Sequence, residues 1–207
     1  MGKRAVSAIV LAGGGSTRMG KNKALLQLGE KTMIERIVDT LRPLFNEIIL
    51  VTNHPEEYHF LKNIIYIKDE KILEERNSLI GIYSGLLAAN NSYAFVVPCD
   101  MPFLNQGLIK YMIDKLEDED VFIPFIEGHY QPLHAIYSKR CIEPIKKLLD
   151  QQKYKIINFF HEVSIKTIDE DTVKRFSKEF TCFLNVNTYQ AYLDIQKHWD
   201  KLLIRGD

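Results

Sequence analysis

The chain alternates short, continuous apolar runs with segments whose apolar residues recur every three or four positions. "AVSAIVL" (5–11), "EIILVT" (47–52), "IIYI" (64–67) and "AFVVP" (94–98) are short runs rich in Val and Ile. Their length and β-branched content predict buried strands. Between the first two, Met33, Ile34, Ile37, Val38 and Leu41 share one face of a helix that ends before Pro43. Pro55 suits the start of a short helix. Leu79, Ile82, Tyr83, Leu86 and Leu87 mark another helix, with Ser78 as its expected N-cap.

The pattern continues after Asn105, where Ile109, Met112, Ile113 and Leu116 fall on a helical face. "VFIPF" and "LHAIY" then read as strands separated by Gly128, and Ile142, Ile145, Leu148 and Leu149 mark a further helix. "VSIKTI" and "CFLNV" are the last expected strands, and a closing helix is expected after its N-cap, Thr188. Buried strands alternating with helices predict an α/β fold, three layers deep, with a mostly parallel (mixed) sheet covered on both faces. No repeat or low-complexity linker interrupts the pattern, so a single domain over 1–207 is expected.

Composition narrows the function classes. Hydrophobic residues make up 46% of 207, enough for a sizeable core. Lys+Arg and Asp+Glu are both 27, so no bulk field favours nucleic acid or a membrane surface. Cys99, Cys141 and Cys182 are far apart and form no CxxC pair, which predicts free thiols rather than a zinc site. No apolar run approaches the ~20 residues that span a bilayer. "MGKRAVSAIVLAGGG" has a basic start, but its apolar run stops at glycines, unlike a secretory signal. Val6 stands where a myristoylation signal has Ser or Thr. A cytoplasmic location is expected.

The first predicted strand opens into "AGGGSTRMGKNK". Ligands of such sheets bind beyond the carboxyl ends of the strands, so this loop is well placed. Two familiar phosphate motifs nearly fit. The dinucleotide fingerprint needs a third glycine where Arg18 stands, and the P-loop needs a hydroxyl where Asn22 stands. What remains is a glycine turn whose amides can crowd an anion, with Arg18, Lys21 and Lys23 close by to neutralise it. Read blandly, it is a tight turn with solvated lysines. Asp100 follows "FVVPC" at the end of another buried strand and so faces the same crevice. It is the candidate ligand for Mg²⁺, which takes one or two carboxylates plus phosphate oxygens; the alternative is a turn acid. Asn53 ends the second strand, and its amide can both donate to and accept from a ribose or base edge. Capping of the turn at Pro55 is the alternative.

"LAGGGSTRMGKNKALL" resembles the L-A-G-G-x-S-x-R-M-G-x-D-K signature of the molybdenum cofactor guanylyltransferases. "LIGIYSGL", "VVPCDMPFL", "YQPLHAIYS" and "FLNVNT" resemble further segments of that family along nearly the whole chain. The resemblance implies a Rossmann-like nucleotidyltransferase fold and the transfer of GMP from GTP to molybdopterin, with Mg²⁺ as cofactor. It implies Lys23, Arg18 and Asp100 as catalytic residues. Nucleotide-binding roles fall on Leu11, Ala12, Gly13, Gly14, Lys23, Asn53, Asp69 and Asp100, with the amides from Leu11 onward cradling the nucleotide. Asp69 matches an acid that would accept from guanine N1 and N2, and Gly13–Gly14 match the guanine-type form of the signature. Asn187, and less directly Asn185, match a residue that helps hold the metal; on a strand their side chains would point to opposite faces. Contacts with molybdoenzymes or cofactor-delivery proteins are also implied.

Three positions depart from the family pattern. Asn22 replaces an aspartate, Asn77 and Ser78 replace Gly-Pro, and Tyr189 replaces a proline. The histidines form no metal or catalytic motif, although His129 and His134 flank the Q-P-L segment and could lie near an acceptor. Lys153 and Lys155 occupy a region where the family often carries arginines and could attract an acceptor phosphate, with solvated helix-end lysines the equal alternative. Rival readings are a cytidylyl- or sugar-phosphate nucleotidyltransferase and a non-catalytic nucleotide-binding adaptor that delivers cofactor. Nucleophilic catalysis by Ser16 or Thr17 lacks the necessary context.

Overall fold

A computed structural model describes residues 4–13, 22–69 and 77–197. Gly14, Arg18 and Lys21 lie outside the described residues. Strand β1 (Val6–Leu11) is buried along its whole length and lies in the interior of the main sheet. It pairs in parallel with β4 (Ile48–Val51) on one side and β6 (Tyr93–Pro98) on the other. Beyond β4 lies β5 (Ile65–Ile67), also parallel. On the far side of β6 the chain inserts β9 (Ala135–Ser138), antiparallel to both β6 and β7 (Val121–Ile126). β10 (Ile165–Ile168) runs parallel to β7, and the short β8 (His129–Tyr130) pairs with β7 as a hairpin around Gly128. A separate two-stranded ribbon joins β2 (Gln27–Leu28) to β3 (Lys31–Thr32).

Alternation along β1 divides the core. Val6, Ala8 and Val10 face the layer of α1 (Met33–Leu41), α3 (Gln106–Lys115) and α5 (Glu170–Lys174). Ile9 and Leu11 face the layer of α2 (Ser78–Ala88) and α4 (Ile142–Asp150). The period-2 pattern thus supplies both faces of a sheet sandwiched between helices. The helix starts follow from local chemistry. Thr32 and Glu35 form a capping box at α1, and Asn105 caps α3 by accepting from the Leu108 amide at 2.9 Å. At α2 the cap is Asn77, which accepts from the Ile80 amide at 3.0 Å, rather than the expected Ser78. Asn supplies an acceptor oxygen as well as Ser does, and here it sits at the extended residue before the first turn.

One expected strand does not form. "CFLNV" is a 3-10 turn (Thr181–Phe183) followed by an irregular segment that leads into α6 (Tyr189–Lys197), which Thr188 caps as expected. Its β-prone residues are spent otherwise: Cys182 enters the core and Val186 packs against Leu28, Met33 and Tyr192. The three cysteines are buried and unpaired. Among the described residues no helix is long and apolar enough to cross a membrane.

Candidate active site

The register of the central strands creates the site. Leu11 of β1 stands beside Pro98 of β6, so Gly13 and Asp100 emerge from neighbouring strands at the same level. The Cys99 amide donates to the Leu11 carbonyl at 2.9 Å and extends that pairing toward Asp100. The chain leaves β1 toward β4 on one side and returns at β6 on the other, so a crevice opens between the diverging connections. A cleft of about 360 Å³ lies there, within the range of small-molecule sites. Leu11, Gly13, Lys23, Asp69, Asp100 and Asn187 line it, together with Asn77, Ser78, Gly81, Leu133 and Asn185.

Lys23 enters this cleft from a 3-10 turn (Lys23–Leu25) that Asn22 caps through the Ala24 amide at 3.1 Å. The same Asn22 amide donates to Glu57 and, at 2.7 Å, to the Tyr58 hydroxyl. Tyr58 is fully buried, and burial holds its phenol protonated well above the ordinary range. The residue that departs from the family pattern is therefore a donor that staples the lysine turn to the turn after β4. An aspartate could accept from Ala24 but could not donate to Glu57.

The Lys23 ammonium donates to Asp100 Oδ2 at 2.5 Å and to Asn187 Oδ1 at 3.3 Å. Asp100 is 7% exposed, and its other oxygen, Oδ1, is buried with no hydrogen-bond partner among the described residues. An unsatisfied buried acceptor costs free energy, so this oxygen awaits a cation or donor that arrives with a ligand. A carboxylate with one orphaned oxygen, sharing the Lys23 ammonium with an amide oxygen, fits a hard divalent cation whose remaining ligands are phosphate and water. Asn187 reaches this point because the Val186 amide donates to the Asp100 carbonyl at 2.9 Å. With no strand there, the expected divergence of Asn185 and Asn187 does not hold, and both line the cleft.

The opposite wall carries Asp69, whose Oδ2 accepts from Asn53 Nδ2 at 3.2 Å. A Cβ on Gly13 would lie 3.1 Å from that oxygen, and one on Gly81 would lie 3.0 Å from Leu11. Bare backbone at both positions keeps the wall open around the acid. Asn53 stands behind Asp69 as its hydrogen-bond donor rather than lining the cleft. Ala12 also differs from expectation: its amide donates to the Val51 carbonyl at 2.8 Å and is not available to a phosphate. Sequence reasoning passed over Asn77 as a site residue. It lines the cleft, and its Nδ2 is a buried donor without a partner among the described residues. The signal was present in its departure from Gly-Pro, which placed an amide where the pattern has no side-chain donor.

Two neighbours are not chemical groups of the site. Burial and the Asp100 charge push the Cys99 thiol up to about 12, so it stays protonated beside the cleft. His134 is fully buried, with ring centroids 5.0 Å from Phe95 and 4.9 Å from Phe183, and it belongs to the core instead of an acceptor site. Lys153 turns its ammonium to Gln151 at 2.9 Å, and neither it nor Lys155 lines the cleft.

An α/β sheet whose switch point holds Gly13 and a lysine–aspartate pair in one cleft is the framework of a nucleotidyltransferase. Comparison with known proteins makes the class particular: the chain belongs to the family of the MobA-like NTP transferase domain, whose model matches residues 8–164. It is 38% identical over 186 residues to the molybdenum cofactor guanylyltransferase of Desulfosudis oleivorans, covering 89% of this chain and 91% of that one. It is 35% identical over 199 residues to a protein of Natranaerobius thermophilus named probable molybdenum cofactor guanylyltransferase, covering 95% and 97%. In fold it is similar to the crystal structure of molybdopterin-guanine dinucleotide biosynthesis protein A from Archaeoglobus fulgidus. That match has TM-score 0.81 and 21% identity, and covers 95% of this chain and all of the other.

Proposed function

We propose that this chain, as one nucleotidyltransferase domain, transfers GMP from GTP to the terminal phosphate of molybdopterin. An oxygen of the acceptor phosphate forms a bond to the α-phosphorus, the bond to the β-phosphate bridging oxygen breaks, and pyrophosphate leaves in line. The acceptor phosphate is already anionic, so the reaction asks chiefly for positioning and charge neutralisation. The single observation that carries the reading is the Lys23 ammonium seated on Asp100 inside the cleft at the end of β1 and β6.

Each wall then has a task. Lys23, with Arg18 from the glycine loop, offsets charge on the leaving phosphates. The backbone at Gly13 and Gly14 lies against the nucleotide. Asp69, held by Asn53, accepts from guanine N1 and N2, and Asn77 Nδ2 offers a donor to the same ligand. Asp100 and Asn187 would hold Mg²⁺, which when bound would screen the negative charge of the phosphates. The relatives' names, molybdenum cofactor guanylyltransferase, support a guanine nucleotide as donor and the molybdenum cofactor as acceptor.

The test incubates the purified protein with molybdopterin, Mg²⁺ and GTP, CTP or ATP, and measures pyrophosphate and the dinucleotide product. GTP should give product and the other two far less. Equal turnover with CTP would overturn the guanine reading, and nucleotide binding without any pyrophosphate release would overturn the enzymatic one.

A further inference from the structure

We infer that Lys23 is the resident counter-ion of the metal-holding carboxylate, so that a divalent cation and the Lys23 ammonium compete for Asp100 until a triphosphate draws the lysine away. The inference rests on the reading of Asp100 as a cation ligand and adds an order of events to it.

The argument begins with burial. A carboxylate as enclosed as Asp100 is costly to keep ionised without a partner, and Lys23 Nζ at 2.5 Å supplies one. The second contact of the ammonium is Asn187 Oδ1 at 3.3 Å. Asp100 Oδ2 and Asn187 Oδ1 are both side-chain oxygens of the kind that suits a hard dication, and the ammonium holds both. A dication bridging both would occupy the space the ammonium now fills. If it bound only the orphaned Oδ1, it would face the ammonium across the width of one carboxylate, with like charges poorly screened by a buried setting. Either way the nucleotide-free protein resists the metal. A triphosphate changes this by offering Lys23 other anionic oxygens, which frees Oδ2 and Asn187 at the moment the phosphate ligands arrive. Nucleotide and metal then enter together, and Lys23 serves first as placeholder and afterwards as phosphate contact.

The proposal predicts that removing the ammonium improves metal binding, the reverse of what a loss of structure at the site would produce. Nucleotide-free wild type, Lys23→Met and Asp100→Asn are titrated with Mn²⁺, and free Mn²⁺ is followed by electron paramagnetic resonance. Lys23→Met should bind about tenfold tighter than wild type, the scale of coupling common between competing ligands, and Asp100→Asn should lose the site. Lys23→Met should also melt below wild type without metal and recover more than wild type with millimolar Mn²⁺, since a ligand of the native state raises its melting point. Lys23→Gln, which keeps a donor to Asp100 without charge, serves should Lys23→Met not fold, and it should also bind more tightly than wild type. Equal or weaker Mn²⁺ binding by a folded Lys23 variant would overturn the proposal. So would tight binding that survives in Lys23→Met/Asp100→Asn. GTP-dependent pyrophosphate release by the wild type is scored separately, so failure of the exchange and failure of the guanylyl-transfer reading give different results.

Discussion

Acidification should unfold this protein earlier than its carboxylates alone require, because of His134. The ring is fully buried, sits edge-on between Phe95 and Phe183, and has no hydrogen-bond partner on either nitrogen among the described residues. Burial alone lowers its pKa from 6.5 to about 3. The neutral ring is therefore the folded form, while the unfolded chain takes up a proton near 6.5. The contribution is fully present above pH 6.5 and is lost as pH falls toward 3. Linkage over those ~3.5 units gives a total near 5 kcal/mol, of which about 2 kcal/mol is already gone at pH 5. A few kcal/mol is a large share of a typical domain's stability. The assay is urea unfolding at pH 7.5 and pH 5.0 for wild type and His134→Leu, which fills similar space without a titrating group. The wild type should lose about 2 kcal/mol more than the variant between the two pH values. Identical pH dependence in the two proteins would refute the account, and would mean that water or rearrangement stabilises the charged ring.

Asp100→Asn should leave the fold intact, because the amide keeps an acceptor for Lys23, yet it should cut guanylyl transfer by about 100-fold or more; steady-state rates check this, and near-wild-type turnover would remove Asp100 from the chemistry. Asn22→Asp, which restores the family residue, should cost about 1 kcal/mol in urea unfolding by losing the donor to Glu57 and facing it with like charge. Adding Glu57→Gln should recover most of that loss, and a single variant as stable as wild type would sink the staple. Gly85→Ala should destabilise by about 1–3 kcal/mol, because its Cβ would stand 2.6 Å from Ile9 in the packed seam between α2 and β1. An unchanged melting curve would show that the seam can open.

The architecture was legible because apolar strands and amphipathic helices have different periods. β1, β4 and β6, and helices α1, α2 and α3, fall within a residue or two of where the pattern puts them. The failures have physical causes. "CFLNV" has strand composition, but its Val186 amide is claimed by the Asp100 carbonyl and its side chains by two separate packing clusters. Tertiary contacts overrode propensity there. At the site, chemistry-bearing residues at strand ends could be named from position alone, as with Asp100. Geometry between distant residues could not. Nothing in the spacing of Asn22 and Glu57 announces that they meet, and nothing marks Asn53 as the support of Asp69. The lysine contact with Asn187 is likewise unreadable in one dimension, since 164 positions separate them.

The bond from the Val186 amide to the Asp100 carbonyl sets a schedule for the making of this protein. A ribosome delivers β1 and β6 well before it delivers residue 187, so the sheet can form around a cleft whose floor is still short of one oxygen. The last asparagine then docks against a carbonyl already held in place, like a latch closing on a finished frame. Synthesis that stops a few dozen residues early would leave a product that has the strands of the main sheet and Asp100 but lacks Asn187 and its contact with Lys23.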